Sequence, residues 1–335
     1  MLTTNVVTSF KSTDVGDATG GIDSITGSNA TTYALGGTGA DVITTGSGGD
    51  YILGDHGTIT FNDGTGGSTL GSLKQAISTF TGDGGADTIV TGDGDNVVIA
   101  GFGADKVNFG ITGGSGFDII FGDSGQADAN GTGILTSVKS IDLALGGDDT
   151  LNAGAGGNVV FGGFGADTLT SGTVAGTRDI LVGDNGQVTL TSDANNFVTL
   201  FESTDLDDTT GGDDSITGSD ANSYVLGGAN NDTITTGTGQ DFIFGDHGEM
   251  VFDATTGDLV SAVSKLEAFG SDTTTGDVIG AGSGGNVVFG GQGKDTITSS
   301  TAAGSRDILV GDSGEVLLTT NVVTSFKSTD VGDAT

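Results

Sequence analysis

Apolar residues recur at nine-residue steps along much of this chain, each two positions after an aspartate or another small polar residue. Residues 36–44 show the unit in full: a Gly-Gly-x-Gly half followed by an Asp-x-Ile half. The glycine half predicts a turn, and the Asp-x-Ile half predicts a short strand with one inward side chain. The aspartate stands where turn becomes strand, beside carbonyls exposed by the glycines. That position suits a hard cation with oxygen ligands.

Aligning the Asp-x-apolar step gives five blocks of four units, with short insertions in blocks two, three and five. Their step aspartates are the main candidate metal ligands: Asp23, Asp41, Asp50, Asp87, Asp105, Asp118, Asp149, Asp167, Asp179, Asp214, Asp232, Asp241, Asp277, Asp295 and Asp307. The second unit of each block carries an uncharged residue instead: Thr32, Asn96, Asn158, Ser223 or Asn286.

Every block closes with Gly-Asp-x-Gly, which adds Asp55, Asp123, Asp184, Asp246 and Asp312 as candidates. These five are either metal ligands or turn formers, since aspartate commonly hydrogen-bonds its own turn. An alternating run, a polar turn and a second run follow each closure and predict β-hairpins. Residues 70–80 also fit helical spacing, with Leu70, Leu73, Ile77 and Phe80 on one side, so a short helix is an alternative there.

A longer period lies above the blocks, because residues 2–19 (LTTNVVTSFKSTDVGDAT) recur unchanged as residues 318–335. The offset of 316 suggests one period of a longer tandem array, or a boundary placed for convenience within such an array. We predict repeat blocks at 20–61, 84–128, 146–190, 211–252 and 275–317, joined by hairpins or linkers at 62–83, 129–145, 191–210 and 253–274. Residues 1–19 would end a preceding hairpin, and residues 318–335 would begin the next repeat.

Two nine-residue units can make one coil of a flattened parallel solenoid, with coils stacked about 4.8 Å apart. Units 18 residues apart then share an edge, so that Asp23 lies below Asp41 and Asp149 below Asp167. Stacked carboxylates repel unless a cation lies between them, and calcium accepts six to eight oxygen ligands more readily than magnesium does. We predict that this edge binds calcium well. The other edge would bind it poorly, because every second unit there lacks a charge.

Composition agrees with this picture and removes several classes of function. The chain of 335 residues has 66 glycines, no proline, no cysteine and a formal net charge of −35. Such acidity predicts disorder without a cation, and it excludes nucleic acid as a partner. No apolar run is long enough to span a membrane, and the first residues lack the features of a signal peptide. The lack of cysteine, with only two histidines, argues against zinc or copper.

A catalytic site is not expected. His56 and His247 are the only histidines, and both stand at the third position of Gly-Asp-x-Gly, where other copies have Ser124, Asn185 or Ser313. A general base would not be exchanged for serine among copies that do the same work. The Gly-Asp-Ser-Gly closures have no partner histidine at a suitable place, so a serine hydrolase is also not indicated.

The units 36–43, 162–169 and 290–297 resemble the nonapeptide of the RTX, or haemolysin-type, calcium-binding repeats. The resemblance implies an all-β fold, a parallel β-roll or β-solenoid, here with β-hairpin insertions between blocks. It also implies calcium as cofactor, secretion by a type I exporter and folding on meeting calcium outside the cell. Residues 227–232 depart from the motif by losing the third glycine, and the hairpins and closures lie outside it. Long uninterrupted ion rows are therefore not expected.

The favoured function is a non-catalytic, calcium-stabilised structural segment of a long secreted bacterial surface protein, such as an extracellular filament, adhesin stalk or surface layer. Its partners would be neighbouring copies of the same repeat, with the cell surface or a polysaccharide as further candidates. Two alternatives stay open. One is a roll that binds ice or carbohydrate, and the other is the calcium-binding carrier region of a secreted enzyme or toxin.

Overall fold

The computed structural model describes residues 7–13, 20–62, 72–79, 81–108, 114–172, 177–206, 210–265, 275–300 and 305–329. Over these ranges the fold is all-β, with 31 strands and no helix. It follows that no helix in the described part of the chain could cross a membrane. The all-β class predicted from the nine-residue pattern is confirmed.

The first strands in chain order are β1 (Ser9–Lys11), β2 (Ser24–Thr26), β3 (Tyr33–Leu35), β4 (Val42–Thr44), β5 (Tyr51–Leu53), β6 (Gly57–Phe61), β7 (Leu73–Ser78), β8 (Thr88–Val90), β9 (Val97–Ile99) and β10 (Lys106–Val107). The next are β11 (Ile119–Phe121), β12 (Gly125–Ala129), β13 (Leu135–Ser140), β14 (Thr150–Ala155), β15 (Val159–Phe161), β16 (Thr168–Gly172), β17 (Arg178–Val182), β18 (Gly186–Leu190), β19 (Val198–Ser203) and β20 (Ser215–Thr217). The last are β21 (Asn222–Leu226), β22 (Thr233–Thr235), β23 (Phe242–Phe244), β24 (Gly248–Phe252), β25 (Leu259–Ser264), β26 (Val278–Ser283), β27 (Val287–Phe289), β28 (Thr296–Ser300), β29 (Ile308–Val310), β30 (Gly314–Thr319) and β31 (Val322–Ser328).

Two parallel sheets of ten strands each form the solenoid. The first parallel sheet has the order β2-β4-β8-β10-β14-β16-β20-β22-β26-β28. The second parallel sheet has the order β3-β5-β9-β11-β15-β17-β21-β23-β27-β29. The chain alternates between the two sheets, so each pair of units makes one coil, as the sequence predicts.

The turns and the core of a coil follow from the nine-residue unit. Gly37 and Gly39 have φ values of 106° and 120°, a region that glycine enters without steric cost. The apolar residue of each unit points between the parallel sheets, where Ile43 and Ile52 are completely buried. Units 18 residues apart are in register, with Ile25 opposite Ile43. The unit therefore encodes both the turn and the core.

Stacking continues without a break from one block to the next. β4 of block one pairs with β8 of block two, Val42 lying opposite Thr88, although the hairpin of β6 and β7 separates them in the chain. β16 pairs with β20 across the next-but-one junction in the same way. The hairpins and closures do not interrupt the stacking of the coils, because the hairpins leave the solenoid sideways and return to the next coil; the expectation about ion rows stays a prediction.

The hairpins join into a third layer. An antiparallel sheet of 11 strands has the order β1-β6-β7-β12-β13-β18-β19-β24-β25-β30-β31. Its inward side chains, among them Ile59, Phe201 and Met250, share one core with Leu53, Phe121 and Phe161 of the second parallel sheet. The second parallel sheet is therefore buried on both faces.

The helical alternative near residue 70 is wrong. Residues 73–78 form β7, which pairs antiparallel with both β6 and β12. Leu73, Ala76 and Ser78 are its buried residues, and Ala76 lies opposite Ala127 in the sheet interior. Leu70 and Phe80 of the proposed helical face lie outside the described residues. The hairpin of β6 and β7 spans the predicted boundary between 20–61 and 62–83, and the block boundaries stay predictions.

Candidate metal centre

Ten aspartates form a continuous row along one edge of the solenoid, which we call the first row. Each immediately precedes a strand of the first parallel sheet: Asp23, Asp41, Asp87, Asp105, Asp149, Asp167, Asp214, Asp232, Asp277 and Asp295. The backbone N–H of each donates to the Oδ1 atom of the next in sheet order, and these nine hydrogen bonds measure 2.7–3.0 Å. In each carboxylate that accepts one of these hydrogen bonds, Oδ1 is therefore occupied by a backbone N–H group.

The other oxygen of these carboxylates is directed into the coil. Seven of them have a buried Oδ2 that accepts no hydrogen bond from the described residues: Asp41, Asp87, Asp105, Asp149, Asp167, Asp214 and Asp232. An uncompensated buried carboxylate oxygen is costly, so it calls for a positive partner.

Backbone carbonyl oxygens converge on the same places. A methyl group added at Gly162 would lie 2.0 Å from the carbonyl oxygen of Gly183 and 2.3 Å from Oδ2 of Asp167. At Gly36 it would meet the Gly54 carbonyl oxygen at 2.1 Å and Asp41 Oδ2 at 2.5 Å. Only glycine fits there, and it brings a carboxylate and a carbonyl of the neighbouring coil close together. This all-oxygen donor set is the kind that calcium prefers.

Burial makes several carboxylates of the first row resist ionisation without a cation. Burial, reinforced by the charges of Asp105 and Asp41, raises the pKa of Asp87 to about 8. Burial raises the pKa of Asp105 to about 7. The pKa values of Asp149, Asp167, Asp214 and Asp232 lie well above the usual range, because burial is reinforced by neighbouring carboxylates. A bound cation would reverse both effects.

The opposite edge carries a second row with half the charge. Asp50, Asp118, Asp179, Asp241 and Asp307 alternate there with Thr32, Asn96, Asn158, Ser223 and Asn286 along the second parallel sheet. Eight N–H to Oδ1 hydrogen bonds of 2.6–3.1 Å form a similar ladder, which omits the step from Asp179 to Ser223 because serine has no Oδ1 atom.

Serine hydroxyl groups donate hydrogen bonds to some of the second-row carboxylates. Ser171 and Ser219 both donate to Oδ2 of Asp179, and Ser299 donates to Oδ2 of Asp307. Burial raises the pKa of Asp118 only to about 6. The two edges therefore differ in charge and, at Asp179 and Asp307, in hydroxyl donors to Oδ2, whereas Oδ2 of Asp50 and Asp118 is buried without a hydrogen bond from the described residues, as in the first row.

The Gly-Asp-x-Gly aspartates hold the glycine turns of the following coils. Both oxygens of Asp55 accept backbone N–H groups, from Gly85 at 3.1 Å and from Phe102 at 2.5 Å. Asp123 and Asp184 make the equivalent pairs of hydrogen bonds, and Asp246 accepts the N–H of Gln292. Burial and the charge of Asp87 nevertheless raise the pKa of Asp55 to about 9. These carboxylates thus hold the turns of later coils and not their own turn, as the turn-former alternative required, and Asp312 lies at the equivalent position of the last closure.

His56 and His247 occupy buried positions beneath the hairpins, where other closures place Ser124, Asn185 or Ser313. Oδ2 of Asp83 lies 3.9 Å from Nε2 of His56. Among the described residues, no three or more histidine, aspartate or glutamate side chains converge to hold a metal by themselves. A metal in this fold thus needs backbone carbonyls as well as carboxylates.

The sequence predicted which aspartates share an edge, but not that the row would be unbroken. The available signal was the even number of units per block. Four units make two complete coils, so the chain leaves every block from the second parallel sheet and can re-enter on the first.

The chain is similar to one known protein family. The family model of the RTX calcium-binding nonapeptide repeat (4 copies) matches residues 32–58, 79–110, 111–126, 143–177, 208–247, 272–305 and 280–318, more than half of the chain. Searches of curated proteins and of solved structures each gave no match. RTX nonapeptide repeats bind calcium ions, and the proteins that carry them are typically secreted. The chain belongs to the RTX calcium-binding nonapeptide repeat family.

Proposed function

We propose that this chain is a non-catalytic, calcium-stabilised structural segment of a long secreted bacterial surface protein, such as an extracellular filament, adhesin stalk or surface layer. The observation that carries the proposal is the first row, ten aspartates joined by nine consecutive hydrogen bonds. An uninterrupted row makes the solenoid one long element instead of five separate blocks.

The proposed calcium ligands are the first-row carboxylates together with glycine carbonyls of the adjacent coil. The second row would bind more weakly, because Asp50, Asp118 and their equivalents alternate with uncharged residues. The closure aspartates come last, since calcium would have to displace the amide donors of turns such as Gly85 and Phe102.

Calcium supplies positive charge to a row of buried carboxylates and removes two negative charges for each ion bound. The chain's own residues shape the site. Glycine lets the turns of neighbouring coils approach, the ladder of hydrogen bonds orients each carboxylate through Oδ1, and the inward Ile side chains pack the coils together. Because the row exists only in the folded chain, the free energy of calcium binding becomes free energy of folding.

A non-catalytic role is supported by the exchange of His56 for Ser124 or Asn185 at equivalent buried positions. The typical role of the family is structural and calcium-binding. A rigid segment is supported by the continuous sheets, since stacked coils extend an axis without new chemistry.

Circular dichroism against calcium concentration, with negative-stain electron microscopy of the same samples, tests the proposal. We expect the β signal to develop on adding calcium, and rods or fibres to be visible only then. A chelated chain that keeps its full β signal would contradict calcium-coupled folding. A calcium-loaded chain that never associates would contradict the filament role.

A ligand-binding roll is the second candidate, and one observation favours it. The hairpins cover the second parallel sheet, which leaves the outward face of the first exposed. One outward position of that face repeats as Thr26, Thr44, Thr170, Thr217, Thr235 and Thr298. Ice-affinity and glycan-binding assays on the calcium-loaded chain would decide, because a purely structural segment would bind neither.

A further inference from the structure

The first and last strands of the antiparallel sheet share a sequence but differ in their pairing and in the exposure of their Phe side chain. β1 includes Ser9, Phe10 and Lys11, and β31 includes the identical Ser325, Phe326 and Lys327, 316 residues later. β1 pairs with β6, and Phe10 stacks on Phe61 with 6.0 Å between ring centroids. β31 pairs only with β30, and Phe326 is 58 % exposed.

Every junction between successive hairpins is built on one buried apolar pair. The central pairs are Ala76 with Ala127, Val138 with Val188, Phe201 with Met250, and Ala262 with Val316. All eight side chains are completely buried. Phe326 stands at the corresponding position of β31, the last strand of this sheet among the described residues.

The partner strand that would complete this junction is present at the other end of the chain. β1 aligns Ser9 with Thr60, Phe10 with Ile59, and Lys11 with Thr58 of β6. Since β31 has the same residues, the β6 edge of a second copy offers it the same register. Phe326 would then face Ile59, which is completely buried in this structure.

The end of the solenoid beside β31 also exposes apolar residues that are buried elsewhere in the fold. Leu309 of β29 is 44 % exposed, whereas Leu181 and Val288, at the same core position of β17 and β27, are completely buried. β29 and β31 line a groove of about 950 Å³ that includes Leu309, Val322 and Phe326. In a second copy, Tyr33 lies against both Phe10 and Phe61, so it would reach this groove.

We propose that β31 docks on the β6 edge of a second copy of this chain, in the position that β1 holds here. The inference deepens the proposed filament function and rests on it. β31 is held through a hairpin with β30, whereas β1 is joined to the sheet by β6 alone. When the copies are separate molecules, β31 displaces β1 from the β6 edge, because β31 is already ordered by its hairpin with β30.

The identical sequences provide a matched pair of variants. Phe326→Ser is expected to raise the concentration needed for association in calcium by about tenfold or more. Phe10→Ser should leave association unchanged or strengthen it, because it weakens only the strand to be displaced. Sedimentation velocity measures association, and circular dichroism checks that both variants keep the fold.

A cysteine pair tests the register directly, since the chain has no cysteine of its own. Ser9 and Thr60 are a non-hydrogen-bonded pair, flanked by the hydrogen bonds Phe61 N to Thr8 O and Ser12 N to Gly57 O. Such pairs bring Cα atoms close enough for a disulfide. S325C with T60C should therefore give chains linked end to end on mild oxidation in calcium. S325C with T58C, two residues out of register, should not.

The outcomes separate the inference from the function on which it rests. If the wild-type chain forms fibres but Phe326→Ser does so equally well, or if both cysteine pairs link alike, strand docking is wrong and the filament role stands. If the wild-type calcium-loaded chain stays monomeric, both are wrong.

Discussion

At the scale of single residues, the two carboxylate oxygens of a first-row aspartate have different roles. Oδ1 of Asp167 accepts the backbone N–H of Asp149 at 2.7 Å, while Oδ2 is buried without a hydrogen bond from the described residues. The sequence predicts the position of such a residue, because the nine-residue step fixes it. The step does not predict the ladder, since that depends on which oxygen turns toward the neighbouring coil.

This division predicts a specific effect of Asp167→Asn. The amide oxygen can still accept the N–H of Asp149, but the charge is lost. We expect at least one fewer calcium ion per chain, and a calcium midpoint for folding about tenfold higher, equivalent to about 1.4 kcal/mol. Isothermal titration calorimetry measures both quantities. Asp193→Asn is the matched control, because that aspartate is exposed in a hairpin turn; an equal effect of both variants would contradict the assignment.

The raised pKa values predict how the calcium-free chain responds to pH. The pKa of Asp87 is about 8 in the fold, against about 3.9 in an unfolded chain. Between these values the folded chain holds more protons, so its free energy of unfolding falls as pH rises. In chelator we therefore expect some β signal that melts on heating at pH 5, where protons neutralise these carboxylates, and little or none at pH 8.

Calcium should reverse that order, because protons and calcium compete for the same oxygens. Thermal unfolding followed by circular dichroism, with calcium and with chelator at both pH values, measures the effect. A calcium-free chain that is more stable at pH 8 than at pH 5 would show that the first row is not buried as described.

At the scale of elements, the strands and hairpins follow from the sequence, but their arrangement does so only in part. Ile119, Ile120 and Phe121 form an unbroken apolar strand of the second parallel sheet, whereas Thr88, Ile89 and Val90 of the first are buried only at the centre. A continuous apolar strand indicates burial on both faces. That signal could have shown which sheet the hairpins cover. The pairing of one hairpin with the next could not be predicted, because it depends on contacts between distant blocks.

The hairpin core should stabilise the molecule independently of the metal. Phe201 is completely buried between the antiparallel sheet and the second parallel sheet. Phe201→Ala should lower the free energy of unfolding in calcium by about 3–5 kcal/mol. The number of bound calcium ions should not change, in contrast to Asp167→Asn.

Chemical denaturation and calorimetry on one sample measure both quantities for Phe201→Ala. Phe326→Ala is the matched control at low protein concentration, because its exposed ring contributes little to the isolated fold. A loss of calcium ions with Phe201→Ala would mean that the two layers are not separable.

At the scale of the whole molecule, the charge of −35 makes folding depend on the kind of cation. We expect magnesium to need at least about tenfold higher concentration than calcium, because it gives up its water reluctantly and requires an octahedral site. Small-angle scattering and circular dichroism follow compaction. Sodium chloride at matched ionic strength is the control for screening; equal responses to all three salts would exclude specific sites.

The even number of units in each block also limits how such a chain can change in length. Removing 18 residues takes out one coil and leaves each later aspartate on its own edge. Removing nine exchanges the edges for everything downstream, so that Asp167 would stack in line with Asn96 and Asp50 instead of Asp105. Apart from short insertions within turns, such as those of blocks two, three and five, the number of units should therefore change only in steps of whole coils or whole blocks. The fold therefore imposes a second constraint on changes in length: besides keeping the coding sequence in frame, they must preserve the 18-residue coil.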